Sequence, residues 1–406
     1  MVNPLSNARV VRVERSDEDV AWLMGRLDVL FSGSTTSVLV PVGGDEMPPA
    51  VVTDVEKRAV RDLDDVRLIV RTSGSTTGHG RMVGLSADQL RASIHATDER
   101  TGGPGTWVLA LPPHHIAGLQ VVARSVLAGT TPQVLAGSFS AGDLADGIES
   151  ALTRDDRVHV SVVPTQLVDA LADPRAAEAL TGCTSVLVGG AAADPALIDR
   201  ARAASVPVLL TYGMSETCGG CVYDGVPLAG TRIAVGEGPG STETSGRVWL
   251  GGPMVMSGYL DGDLGITVED GIRWLATSDL GHREGDRLVV DGRIDDVIIT
   301  GGLKVNASQV AAAVRATEMV EQATVVGLED SRWGRVVTAV VVPSASWSDA
   351  SALREAVAEQ LPRTHAPRVV VTVGAVPMLA SGKVDRVAAV RAARQARDTG
   401  SAWCRD

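Results

Sequence analysis

A chain of 406 residues is too long for one ordinary hydrophobic core, and its 45% apolar content is ample for two. Its 49 acidic and 37 basic residues leave a net charge of −12, which argues against nucleic acid or an anionic membrane as partner. The opening MVNPLSNARVVRVERSDEDV meets charge too early for a secretion signal, and no apolar run is long enough to span a bilayer. From about residue 66, short Val/Leu/Ile runs alternate with helix-period segments, the pattern of an α/β fold with a largely parallel sheet. VRLIV (66–70) predicts a strand, and the stretch from Thr72 to Gly80 predicts a loop. Ser86, with Gln89 three residues on, predicts a capping box that opens a helix. Further strands are predicted at 158–163, 185–190 and 206–213, with a helix over 194–204 between the last two. From 231 to 290, Gly-punctuated runs predict a small antiparallel β subdomain. Near Arg293 the texture turns to compact α+β. A helix is expected after Asn306 with Val310 and Val314 on one face, then strands at EQATVVGL and RVVTAVVVPS, then a helix marked by Leu353, Val357 and Leu361. The division expected is a large domain over 1–294 and a small one over 295–406.

Four cysteines do not make a disulfide framework in a chain of this length. Cys218 and Cys221 form a C-x-x-C pair, but zinc would need two more ligands and only the isolated Cys183 and Cys404 remain. Buried packing or pocket roles are expected instead, in a reducing cytoplasm.

The segment R-T-S-G-S-T-T-G-H-G-R (71–81) follows a predicted strand. Its glycines let the backbone turn tightly with N–H groups inward, and Ser73, Ser75, Thr76 and Thr77 add hydroxyl donors suited to phosphate oxygens. It is not the Walker pattern, because Gly78 is followed by His79, Gly80 and Arg81. Taken alone it is equally a polar surface turn. T-Y-G-M-S-E-T (211–217) ends a strand with Tyr212, which could stack on a purine, and Glu216, which could hold Mg²⁺ or be a helix cap or surface charge. T-S-D-L-G (277–281) offers Asp279 to two ribose hydroxyls or to a turn. G-R-I-D-D-V-I-I-T-G-G-L-K-V (292–305) couples Arg293 and two acids to a paired-glycine loop, and P-M-L-A-S-G-K-V-D-R (377–386) presents Lys383 before a predicted helix.

Together and in this order, these five segments resemble the adenylate-forming superfamily of acyl-CoA synthetases, peptide-synthetase adenylation domains and luciferases, from about residue 66 to 386. The resemblance implies a large N-terminal domain of α/β layers with a small β subdomain, and a small mobile α+β C-terminal domain. It implies that a carboxylate attacks Mg·ATP to give an acyl-AMP and pyrophosphate, and that the thiol of coenzyme A then displaces AMP. Nucleotide-binding positions would be Thr72, Ser73, Gly74, Ser75, Thr76, Thr77 and Gly78 at the β- and γ-phosphates, and Gly189, Gly190 and Ala191 at the adenine wall. Tyr212 and Gly213 would flank the ring, and Asp279 and Arg293 would take the ribose. Ser215 would touch the α-phosphate, Glu216 would ligate Mg²⁺, and Lys383 would bridge the carboxylate and the α-phosphate. That last role is physically sensible, since a cation between two anions offsets repulsion that grows toward the transition state. Asp295 matches the family's hinge, and Gly301 and Gly302 the loop that approaches the thiol when the small domain rotates.

Two departures stand out. The family's usual Gly-x-Pro-Lys is Gly78-His79-Gly80-Arg81 here, and its Thr-Gly-Asp is Thr277-Ser278-Asp279. The stretches YGMSETCGGCVYDG (212–225), LPPHHIAGL (111–119) and VVPTQL (162–167), with the short N-terminal part, are similar to the o-succinylbenzoate–CoA ligases of menaquinone synthesis. That similarity implies 2-succinylbenzoate as the carboxylate, with His115, Thr165 and Gly219 as acyl-pocket residues; His114 and His115 read equally as a helix-start pair with local hydrogen bonds. Another aryl- or acyl-CoA ligase, and an enzyme that loads a carrier protein, are the alternatives. A homodimer is the expected assembly.

Overall fold

The computed structural model describes residues 8–44, 65–72, 80–260, 262–378 and 384–405. Four sheets organise them. The first runs in the order Ala8–Arg12, Val38–Val42, Val66–Arg71, Met82–Ser86 and Gly258–Tyr259, parallel across its first three strands and antiparallel beyond. The second has seven strands. Thr106–Leu109, Val158–Val162, Ser185–Val188 and Val208–Met214 are parallel neighbours at its centre, and Gly219–Tyr223 turns back antiparallel against the last of them. The first three of these central strands are buried throughout, which is why they read as unbroken apolar runs instead of alternating ones. The expected β subdomain is an antiparallel sheet of Arg232–Val235, Ser245–Gly251, Ile272–Glu284 and Ile266–Glu269, with Arg287–Arg293 paired to the long Ile272–Glu284 strand.

Local chemistry sets the helix ends as the sequence implies. Ser86 Oγ accepts from Gln89 N at 3.2 Å while Gln89 Oε1 accepts from Ser86 N at 2.8 Å, opening the helix Ala87–Thr101. Asn306 caps the helix Ala307–Arg315 by accepting from Ser308 N and Gln309 N, and Val310 and Val314 are buried on its inner face. That helix, with Ala350–Gln360 and Arg386–Asp398, packs on a six-stranded sheet that contains Val320–Asp330 and Gly334–Pro343. Hydrophobic cores divide along the chain: members up to Leu288 fall in three clusters, members from Ile298 onward fall in two others, and none of the five mixes the two stretches.

One layer departs from apolar packing. Gln89, Ser93, Thr97 and Thr101, four residues apart along one helix, are all buried. Ser93 and Thr97 meet Gln120 and Arg124 of the helix Ile116–Ala128, with Thr97 Oγ1 3.3 Å from Arg124 Nη2 and 3.2 Å from the Tyr223 hydroxyl. Apolar periodicity alone puts this stripe outside. Burial is tolerated because each side chain finds a hydrogen-bond partner: Ser93 and Thr97 across the interface, Gln89 at Ser257 Oγ, and Thr101 at the Thr97 carbonyl of its own helix.

Candidate active site

Because the central strands are parallel, the residues after Leu109, Val162, Val188 and Met214 emerge on one edge of the sheet, the carboxyl edge where open α/β sheets bind ligands. His115, Thr165, Gly189, Gly190, Ala191, Ser215 and Glu216 all follow these strands. Strand Val208–Met214 passes into a single 3₁₀ turn, Ser215–Thr217, before the chain folds back as Gly219–Tyr223. A side chain at Gly213 is impossible there: a Cβ would stand 2.1 Å from the Gly219 carbonyl oxygen. Cys218, at the apex, has φ of 54°. A non-glycine residue in this region is strained and persists only when its surroundings hold it. The hold comes from the polar layer, where Gln120 Nε2 donates to the Cys218 carbonyl at 2.6 Å and Ser93 Oγ donates to it at 3.1 Å.

Tyr212, Glu216, Asp279 and Arg293 gather around this turn. The Tyr212 hydroxyl donates to Asp279 Oδ2 at 2.7 Å. Burial first, and then the neighbouring Asp279 charge, push the phenol well above its ordinary pKa, so it stays a donor. Asp279 lies on the long strand Ile272–Glu284 directly opposite Arg293 on the next strand. Its backbone N–H is held by Thr277 Oγ1 at 3.1 Å, while Thr277 donates to the Val248 carbonyl at 2.7 Å. Glu216 is only 9% exposed. Its Oε1 accepts from the Tyr259 hydroxyl at 2.6 Å, and its backbone carbonyl accepts from Met256 N at 2.8 Å. Tyr259, which the motif reading did not single out, carries the guanidinium of Arg81 on its ring face, 3.3 Å from the centroid. Arg81 also closes the base of the Ser/Thr/Gly loop: Thr72 N donates to its carbonyl at 2.9 Å, and its N–H donates to Thr72 Oγ1 at 2.8 Å.

The other motif residues fall elsewhere. Ser73, Gly74, Ser75, Thr76, Thr77, Gly78 and Lys383 lie outside the described residues. His115 is the N-cap of Ile116–Ala128 but makes no side-chain cap hydrogen bond, and its ring stands 4.4 Å from that of His114. His114 Nδ1 is 3.3 Å from the Val13 carbonyl, a contact across the chain and not the local one read from the sequence. Thr165 is exposed in the first turn of Pro164–Ala172. Gly219, with φ of 96°, faces Gln120 and Ile116. Gly301 and Gly302 form the tip of the hairpin between Val297–Thr300 and Leu303–Asn306, where Gly301 N donates to the Trp333 carbonyl at 2.9 Å. Asp295 sits in the 3₁₀ turn Ile294–Asp296, 3.5 Å from Arg293, and the next residue, Asp296, pairs with Arg386 at the start of the last helix.

No group of three or more His, Cys, Asp and Glu among the described residues is arranged to hold a metal by itself. A divalent cation brought in with a phosphate ligand suits Glu216, since a strand-end carboxylate fixed through one oxygen keeps the other for a cation that takes its remaining ligands from phosphate and water. The C-x-x-C pair is inert packing. Both thiols are free and buried, burial pushes Cys221 up to about 12, and Cys218 is raised as well. No described helix is long and apolar enough to cross a membrane.

An α/β sheet edge with a buried acid at a strand end, a tyrosine–aspartate pair beside an arginine, and a C-terminal α+β unit with its own hydrophobic clusters suit an enzyme that handles a nucleotide. The chain matches the AMP-binding enzyme family over residues 9–260 and the AMP-binding enzyme C-terminal domain over 309–383, and it belongs to that family. It is 43% identical over 380 residues to a probable 2-succinylbenzoate–CoA ligase of Mycobacterium tuberculosis, a match spanning 89% of this chain and 96% of that one. It is 31% identical over 403 residues to the 2-succinylbenzoate–CoA ligase of Bacillus velezensis, spanning 94% and 81%. Its fold is shared with the o-succinylbenzoate CoA synthetase of Bacillus subtilis in complex with the acyl-adenylate OSB-AMP, with a TM-score of 0.74, 23% identity and coverage of 95% and 90%.

Proposed function

We propose that this chain is an ATP-dependent acid–thiol ligase that joins 2-succinylbenzoate to coenzyme A in menaquinone biosynthesis. The observation that carries the substrate is the 43% identity to the mycobacterial relative along nearly the whole of both chains. The site supports the chemistry. A substrate carboxylate oxygen attacks the α-phosphorus of ATP, the bond to the β-phosphate oxygen breaks, and pyrophosphate leaves. The thiol sulfur of coenzyme A then attacks the acyl carbon, the acyl–oxygen bond breaks, and AMP leaves; the thiol proton is released.

In this reading Tyr212 offers its ring to the adenine beside Gly189, Gly190, Ala191 and Gly213, while its hydroxyl holds Asp279 for the ribose together with Arg293. Thr72 and the segment that follows it take the phosphates, Ser215 meets the α-phosphate, and Glu216 takes the magnesium that arrives with ATP. Magnesium supplies charge neutralisation on the phosphates. His115, Thr165 and Gly219 border the acyl group. Lys383 supplies the cation between the two anions in the first step, and Asp295 is the pivot that brings Gly301 and Gly302 forward for the second. The boundary between the two units falls at 294/295, supported by the division of the hydrophobic cores. The four free cysteines suit a cytoplasmic enzyme, and a homodimer is the expected assembly.

Pyrophosphate release with 2-succinylbenzoate, benzoate and medium-chain acids tests the substrate. 2-Succinylbenzoate should be preferred clearly; equal rates would end that assignment and leave adenylation standing. Lys383→Ala should cripple adenylation and largely spare thioester formation from supplied acyl-AMP, and equal loss in both steps would defeat its assigned role.

A further inference from the structure

Arg81 stands where the family's loop usually carries lysine, and its guanidinium carbon lies over the Tyr259 ring, 3.3 Å from the centroid. We propose that Arg81 and Tyr259 are positioning residues, a strut that fixes the Glu216 carboxylate for the divalent cation accompanying the nucleotide. The inference rests on the nucleotide reading above and adds residues to it.

Three separate tethers define the strut. Arg81 Nη2 donates to the Asp263 carbonyl at 3.0 Å, and the Arg81 backbone is paired both ways with Thr72, so the guanidinium approaches the ring from a fixed base. Tyr259 belongs to the short strand Gly258–Tyr259, in register with Val83 on Met82–Ser86, so its ring is set by the sheet to which Arg81 leads. Its hydroxyl then ends on Glu216 Oε1 at 2.6 Å, a short charge-assisted hydrogen bond. A planar cation on the ring face is attracted by the π-electrons and draws density from the phenol, which strengthens the hydroxyl as a donor. A lysine is a compact, strongly hydrated charge without that flat face. Partners that hydrogen-bond a metal-ligating carboxylate orient it, and their loss commonly costs about 10- to 100-fold in metal affinity. Arg81 therefore reaches the phosphates' counter-ion through Tyr259 instead of touching the phosphates itself.

The test is Mn²⁺ binding followed by electron paramagnetic resonance, with the full chain and the α,β-methylene analogue of ATP, whose methylene bridge prevents it from donating its adenylyl group. Affinity for the analogue in EDTA is measured alongside. Tyr259→Phe should weaken Mn²⁺ in the ternary complex about tenfold or more and leave metal-free analogue binding unchanged. Arg81→Ala should move Mn²⁺ affinity in the same direction, Arg81→Lys should fall between it and the parent, and adding Arg81→Ala to Tyr259→Phe should cost nothing further. The strut is refuted if Arg81→Ala weakens metal-free analogue binding and spares Mn²⁺, or if the two losses add. Circular dichroism checks the fold; if Arg81→Ala does not fold, Arg81→Lys with and without Tyr259→Phe carries the same comparison. An unsubstituted protein that binds no Mn²⁺ with the analogue would overturn the nucleotide reading itself, an outcome distinct from a failed strut.

Discussion

Replacing Tyr212 with Phe removes one oxygen and keeps the ring, so it separates the two jobs assigned to this side chain. The lost contact is the 2.7 Å hydrogen bond to Asp279 Oδ2. Hydrogen bonds to charged groups are worth about 1.5–3 kcal/mol. Asp279 is only half-buried, so water replaces part of the loss, and about 1–2 kcal/mol is the working figure. At 1.4 kcal/mol per factor of ten, the KM for ATP should rise about 5- to 30-fold in a pyrophosphate-release assay. The sharper readout is the nucleotide sugar. If Asp279 holds the ribose only while Tyr212 holds Asp279, the parent enzyme should favour ATP strongly over 2′-deoxy-ATP, and Tyr212→Phe should compress that preference. Tyr212→Leu, which also removes the ring, should lose ATP affinity further without altering the compressed ratio. An unchanged preference in Tyr212→Phe would refute the coupling, even if the KM moved.

Three further outcomes are expected. His159 is buried, with Nδ1 2.8 Å from Ser185 Oγ and Nε2 3.1 Å from the Gly103 carbonyl, and burial lowers it from 6.5 to about 4. Below pH 6.5 the unfolded chain takes up a proton that the folded imidazole refuses, so stability present above that pH falls toward pH 4 by about 3 kcal/mol; urea titrations should show this slope, and His159→Gln should flatten it. Gln120→Leu removes the 2.6 Å donor from the strained Cys218 turn and should cost about 1–3 kcal/mol in urea unfolding, with adenylation falling in parallel; full activity at unchanged stability would contradict the clamp. Native alkylation should label the exposed Cys404 and spare Cys183, Cys218 and Cys221, whereas a reactive Cys221 would reopen the C-x-x-C question.

Much of the fold is legible because its signals are local. The Ser86–Gln89 box, the Asn306 cap and the buried apolar strands each depend on residues within a few positions, and each forms as the sequence implies. The candidate site was legible as an ordered set of motifs, with Tyr212 and Asp279 given separate tasks. Their direct bond spans 67 positions, and no local pattern encodes it. The same limit hid Tyr259, which carries no signal until the Gly258–Tyr259 strand is seen against Met82–Ser86. Arg81 was visible only as a departure from the family loop, because its stacking partner lies far along the chain. Ser93 and Thr97 defeat periodicity for a different reason: their hydrogen bonds to the next helix and strand, not apolarity, justify their burial.

The turn Ile294–Asp296 carries two ion pairs of unequal strength on adjacent residues. Asp295 faces Arg293 with both side chains well exposed, at 39% and 45%, and such a pair contributes at most about 1 kcal/mol. Asp296 is nearly enclosed, at 5%, against Arg386, and stripping one partner from an enclosed pair commonly costs about 3–5 kcal/mol. A torque applied to this turn therefore meets a weak fastening on one side and a rivet on the other. In the rotation proposed about Asp295, the Arg293–Asp295 pair would part first, while Asp296 and the start of the final helix would travel together. Under that proposal, the inequality of two neighbouring carboxylates would set where the chain bends and which helix moves as its lever arm.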